Sequence, residues 1–144
     1  MRENKFRGKR VDNKKWVFGS LVKLNSHFYI VLDEPATPKT FLEGCEISLH
    51  NGFIEVIPES VGQFTGLHDK NKKPVYEGDV LKAIDPNGED MDNITVEWDD
   101  DASAYTFEDD FDDYDVTTLA WGIKLGYEFE IIGNIRDNPE LIGK

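Results

Sequence analysis

One cysteine, Cys45, in 144 residues leaves no partner for an internal disulfide. The three histidines, His27, His50 and His68, stand 23 and 18 residues apart, and none has a Cys or second His at metal-ligand spacing. The zinc signatures are therefore missing. Cys45 and His50 could meet across a strand as nucleophile and base, but no activating neighbour is visible, and a half-buried strand cysteine is the simpler interpretation. Gly19-Ser20 lacks the flanking glycine of a nucleophile elbow, and neither standard phosphate-cradling glycine loop occurs. No apolar run exceeds Phe28–Leu32, far short of the ~20 residues that span a bilayer. The opening MRENKFRGKR leads into no apolar stretch, as a secretory signal would. The chain is expected not to be a conventional hydrolase, kinase or dehydrogenase, to need no metal or cofactor, to avoid membranes, and to work in a reducing, intracellular compartment.

What is present argues for a folded protein. Hydrophobic residues make up 39 % of the chain and aromatics 12 %, too much for global disorder. The length suits a single domain over residues 1–144, with a candidate subdivision near Pro58. The net charge of −13 is unevenly spread. Residues 1–24 hold eight Lys/Arg against Glu3 and Asp12, whereas residues 85–115 hold fourteen Asp/Glu and no Lys or Arg. Such asymmetry can mark an interaction surface, with another molecule or between the two segments.

The pattern reads as strands and turns nearly throughout. Trp16–Leu24 and Phe28–Leu32 are apolar and β-branched, and Asn25-Ser26-His27 between them signals a hairpin. Asp33–Lys39, with two prolines, reads as a loop. Glu46–His50 and Phe53–Ile57 flank Asn51-Gly52, a tight-turn dipeptide. Within Val61–Ile84, Asp69–Lys73 is a polar turn, and Gly78-Asp79 favours a bend or bulge inside a strand. Ile94–Trp98 alternates, Ala104–Phe107 is its candidate partner, and Tyr127–Ile135 is a further strand. Helix is expected only at Asn138–Ile142, where Pro139 suits a first helical position. Phe64, Tyr76, Trp98, Trp121, Tyr127 and Phe129 are the expected core aromatics. The fold class is mainly β: a small barrel-like or sandwich-like antiparallel domain with a short C-terminal helical turn.

Two surfaces are candidates for function. The acidic stretch Trp98–Asp115 carries Asp99, Asp100, Asp101, Asp109, Asp110, Asp112 and Asp113, interleaved with Phe107, Phe111 and Tyr114. It reads first as solvated surface; beyond that, it could imitate nucleic-acid phosphate and occupy a basic protein groove. A calcium site is disfavoured because the ordered Asp-x-Asp-x-Asp-Gly loop with its closing Glu is missing. The basic start, with Arg2, Lys5, Arg7, Lys9 and Arg10, could contact phosphates, with Phe6 and Trp16 as stacking platforms. The negative total charge opposes nucleic acid except at a local patch.

Three stretches together resemble the YopX family of phage and prophage proteins: Lys5-Phe6-Arg7 followed by Asp12–Trp16, the central QFTGLHDKNKKPVYEGDV of Gln63–Val80, and IIGNIRDNPEL of Ile131–Leu141. The match spans nearly the whole chain. Gly8 with Lys9 departs from it, since relatives more often show a small residue followed by an aromatic. The acidic region falls in its variable part. The resemblance implies a mostly β fold and a phage or prophage origin, and it implies no reaction; the expected location is the cytoplasm of a bacterial host. The expected function is that of an accessory protein that binds a macromolecular partner without catalysis; the alternative is a small nucleic-acid-binding regulatory module built on the basic amino-terminal strand.

Overall fold

A computed structural model describes residues 3–32, 53–108 and 116–142, apart from the side chains of residues 108 and 116. The chain divides into two compact units, Met1–Phe64 and Thr65–Lys144. Asp33–Lys39, Cys45, the Asn51-Gly52 turn and residues 109–115 lie outside the described residues.

In the first unit β1 (Phe6–Lys9), β2 (Trp16–Leu24), β3 (His27–Leu32) and β4 (Phe53–Val56) form an antiparallel sheet in the order β4-β3-β2-β1. The β2–β3 connection is a two-residue turn, Asn25-Ser26, with both φ angles positive (50° and 69°). That geometry matches the twist of the flanking strands, and it puts His27 in β3, opposite Leu24. Because side chains alternate, one face carries Phe6, Gly19, Ile30 and Val56, of which Ile30 and Val56 are fully buried. The edges curl toward each other: Val11 N–H donates to the Glu55 carbonyl at 3.1 Å, and Ile57 N–H to the Lys9 carbonyl at 2.8 Å. This contact is a single bridge, Arg10 to Val56, so the sheet bends without closing into a barrel. A 3-10 turn, Pro58–Ser60, follows, and Ser60 Oγ accepts the Lys9 N–H. β5 (Gly62–His68) then pairs its first residues with β1 before entering the second unit.

In the second unit the end of β5 lies beside β6 (Pro74–Tyr76), and β7 (Asp79–Ile84) begins immediately after. Gly78 adopts a φ of 87°. Instead of bending one strand, Gly78 with Glu77 separates strands that belong to different sheets. β7 is the middle of a three-stranded sheet with β8 (Ile94–Thr95) and β12 (Glu128–Asn134). A second sheet comprises β9 (Trp98–Asp99), β10 (Ala104–Glu108) and β11 (Val116–Thr118). The alternating Ile94–Trp98 segment is thus shared between two sheets, and only its end pairs with Ala104-Tyr105. Leu81, Ala83, Tyr105, Phe107 and Phe129 from these sheets, with Val96 from the link between β8 and β9, bury one common core, giving this unit a sandwich-like arrangement.

Helix is not confined to the carboxyl end. Pro139–Leu141 does form a 3-10 turn, but α1 (Leu119–Leu125) is a full α-helix. Thr118 Oγ1 caps it by accepting the Trp121 N–H, and Gly126 ends it in the left-handed region at φ 103°. Leu119 enters the core. The aromatic assignments divide: Phe64, Tyr76 and Phe129 are buried and Tyr127 half-buried, but Trp98 is 45 % and Trp121 55 % exposed. Trp121 lies on the solvent side of α1, and Trp98 packs edge-on against Tyr105 at the margin of the second sheet.

Candidate interaction surfaces

The two most distinctive sequence stretches meet in the second unit, and Asp69 joins them. Its side chain is 6 % exposed; Oδ1 accepts the N–H groups of Asn71 and Lys73, both at 2.9 Å, and Oδ2 accepts that of Ile131 at 3.1 Å. Burial alone would raise its pKa, but these three backbone donors outweigh it and hold the carboxyl below its ordinary range. Around this clasp Lys70 N–H reaches the Phe129 carbonyl, Lys70 pairs with Glu130 at 3.3 Å, and Ile135 N–H reaches the Gly78 carbonyl. β12 changes register between Ile131 and Gly133, bringing Gly133 opposite Val80 and Asn134 opposite Asp79. Asn134 Oδ1 then accepts from Arg136 and Asp137, folding the chain back toward the last 3-10 turn. Asp79 and Asp85, also buried, work similarly: Asp79 Oδ2 accepts the Tyr76 N–H, and Asp85 Oδ1 accepts those of Asn87 and Glu89. Asp69, Asp79 and Asp85 are thereby committed to holding backbone N–H groups.

The basic start occupies the outer face of the first unit's sheet. Arg7 and Lys9 alternate along β1 and sit opposite Phe18 and Trp16. The Arg7 guanidinium lies 4.6 Å from the Trp16 ring centroid and the Lys9 ammonium 5.7 Å, both within cation–π range. Arg7 is only 8 % exposed; Lys5, Lys9 and Arg10 are half-buried, and Arg2 lies outside the described residues. Arg10 is held by Asp12 through Nε at 2.8 Å and a terminal nitrogen at 2.6 Å; these bonds raise the Arg10 pKa and lower that of Asp12. Phe6 points to the opposite, inner face, and Trp16 is half-buried beneath two cations. The aromatic rings this face presents to solvent are instead Phe18, 42 % exposed, and Phe53, 41 % exposed. Both follow from strand alternation: Phe18 shares a face with Trp16, and Phe53 stands opposite Val31, itself opposite Ser20. The two-residue spacing of Trp16 and Phe18 was a sequence signal for the first; the second needed the β3–β4 register.

Of the acidic candidates, Asp100 and Asp101 are exposed, beside exposed Trp98. Asp99 Oδ1 accepts the N–H groups of Asp101 and Ala102, so it shapes the turn into β10. Asp109, Asp110, Asp112 and Asp113 lie outside the described residues. Among the described residues no group of three or more His, Cys, Asp and Glu could hold a metal, and no helix is long and apolar enough to cross a membrane.

A family model for the YopX protein matches residues 5–143. The chain belongs to the YopX family, and the three sequence stretches that resemble it lie within that span. No curated protein matches the chain.

Proposed function

We propose that this protein is an accessory protein of phage or prophage origin that acts in the bacterial cytoplasm by binding a macromolecule rather than by catalysing a reaction. The observation that carries this is the outer face of the first unit's sheet, where Phe18 on β2 and Phe53 on β4 are both exposed, roughly 12 Å apart by strand spacing and rise. Clustered exposed apolar side chains on a folded surface mark an interaction site more often than solitary ones do. The second surface with a case is the acidic one, where exposed Trp98 stands beside Asp100 and Asp101 and would suit a basic protein groove.

The test is retention from host lysate on the immobilised protein, in three forms: wild type, Phe18→Ala/Phe53→Ala, and a variant with Asp100, Asp101, Asp109 and Asp110 replaced by Asn. Wild type is expected to retain a macromolecule saturably. Loss in the aromatic variant locates the contact on the sheet face. Loss in the neutralised variant, with a flatter salt dependence, locates it on the acidic surface. Retention no different from that of an unrelated acidic protein would refute the binding function.

A further inference from the structure

We propose that α1 is a docking ridge for a short, basic, amphipathic segment of another protein, with Trp121 and Leu125 as its apolar anchors. This rests on the binding function proposed above and adds a second face with a stated partner chemistry. A surface helix ordinarily keeps polar residues on its solvent side, and a helix that is apolar all round is ordinarily buried. Leu119–Leu125, LAWGIKL, is apolar all round, with Lys124 as its one charged residue. Yet only Leu119 and Gly122 are buried. The inward side is filled, since a Cβ on Gly122 would come within 2.7 Å of the Phe107 ring. Trp121 is 55 %, Ile123 42 % and Leu125 49 % exposed. Trp121 and Leu125 stand four residues apart, so they are neighbours along one stripe of the helix. Folding accounts for Leu119 and Gly122 and leaves the exposed side chains without a core to fill.

Charge and size select the occupant. The whole second unit carries twenty-one Asp/Glu against seven Lys/Arg. Two of its exposed acids lie close to the helix. Glu128 follows the Gly126 cap by two residues. Gly126 itself lies against Pro86, 3.6 Å from where a Gly126 Cβ would stand, which sets the turn that carries Glu89 beside the helix end. Neither Glu128 nor Glu89 has a cationic partner among the described residues. A second copy would set this acidic unit against itself, and a helix about 10 Å long offers by itself far less than the about 800 Å² per partner of a stable dimer. An anionic membrane surface is opposed by the same charge. A short segment in which Lys or Arg flanks two or three apolar side chains suits both the anchors and the field around them.

Fluorescence anisotropy with a labelled, tryptophan-free peptide of about 14 residues, Leu and Lys at helical spacing, tests this. A Leu/Glu peptide of the same spacing is the charge control. The Lys peptide is expected to bind, more weakly as salt rises from about 50 to 200 mM, and the Glu peptide is not. Trp121→Ala/Leu125→Ala should weaken binding about 5- to 30-fold, the range for truncating an interface anchor. Circular dichroism checks that this variant is folded. Should it not be, Lys124→Glu provides the independent reading: with the helix's one cation reversed, the Lys peptide should bind about two- to fivefold more tightly. No binding at about 50 mM salt, equal binding of the Glu peptide, undiminished binding by folded Trp121→Ala/Leu125→Ala, or no gain in Lys124→Glu would each overturn the inference. So would a wild-type dimer in analytical ultracentrifugation that Trp121→Ala/Leu125→Ala dissociates, because a second copy would then cover the helix. If the peptide fails to bind while the wild type retains a macromolecule from lysate, this inference falls and the broader binding function stands; if lysate retention also fails, both fall.

Discussion

Replacing Asp69 by Asn removes one negative charge and changes almost nothing in size, which makes it a sharp probe of the clasp between β12 and the turn after β5. In the wild type, Oδ1 takes two backbone donors and Oδ2 takes the Ile131 N–H. An asparagine that keeps its carbonyl toward Asn71 and Lys73 must turn its NH2 toward the Ile131 N–H, donor against donor. Leaving one buried donor without an acceptor costs about 1–3 kcal/mol, and the two remaining bonds lose their charge assistance. A total near 3 kcal/mol corresponds to a melting midpoint lowered by about 10 °C for a protein of this size. The pH dependence gives a second handle. The folded-state pKa of Asp69 lies below the unfolded value of about 4, so its contribution is fully present above that value and is lost as pH falls through the folded one. Calorimetry of wild type and Asp69→Asn should therefore show a wide gap at pH 7 that narrows below pH 4. Midpoints within 2 °C of each other at pH 7, or a gap unchanged down to pH 3, would refute the reasoning.

Two further substitutions probe the same unit. Gly133→Ala would place its Cβ 2.5 Å from Asn138 Oδ1 and 2.8 Å from Leu141 Cδ1, so the Asn138 and Leu141 side chains must turn aside and Asn138 must give up the bond it accepts from the Asn134 N–H; a loss of about 0.5–1.5 kcal/mol in urea unfolding is expected, and none would mean that this bond contributes nothing to stability. Leu119→Ala should cost about 2–5 kcal/mol, while Trp121→Ala on the solvent side of α1 should change stability by about 0.5 kcal/mol or less; equal costs would contradict the helix orientation.

Where the sequence was legible, the signal was local. Asn25-Ser26 sits between two apolar runs, and the hairpin needs only the turn dihedrals that such residues adopt readily. The helix Leu119–Leu125 was harder to see because its residues are apolar enough to pass for strand, yet its ends carried readable marks in Thr118 and Gly126. Ile94–Trp98 misleads for a different reason: its alternation is real, but nothing local says that the chain changes sheets after Thr95.

The buried carboxylates mark the deeper limit. Asp69, in a run of Lys and Asn, reads as a solvated turn, and its burial follows only from the arrival of Ile131, 62 residues later. The same long-range pairing explains why distinctive stretches such as LHDKNKKPVYEGD and IIGNIRDNPEL need not mark a reactive site. Each supplies backbone donors or acceptors that the other satisfies, so altering either strands polar groups in the interior. These two stretches are thus bound into the second unit's architecture. The two exposed rings of the proposed binding face, Phe18 and Phe53, lie in the first unit, and of these Phe53 depends on the β3–β4 register to be placed.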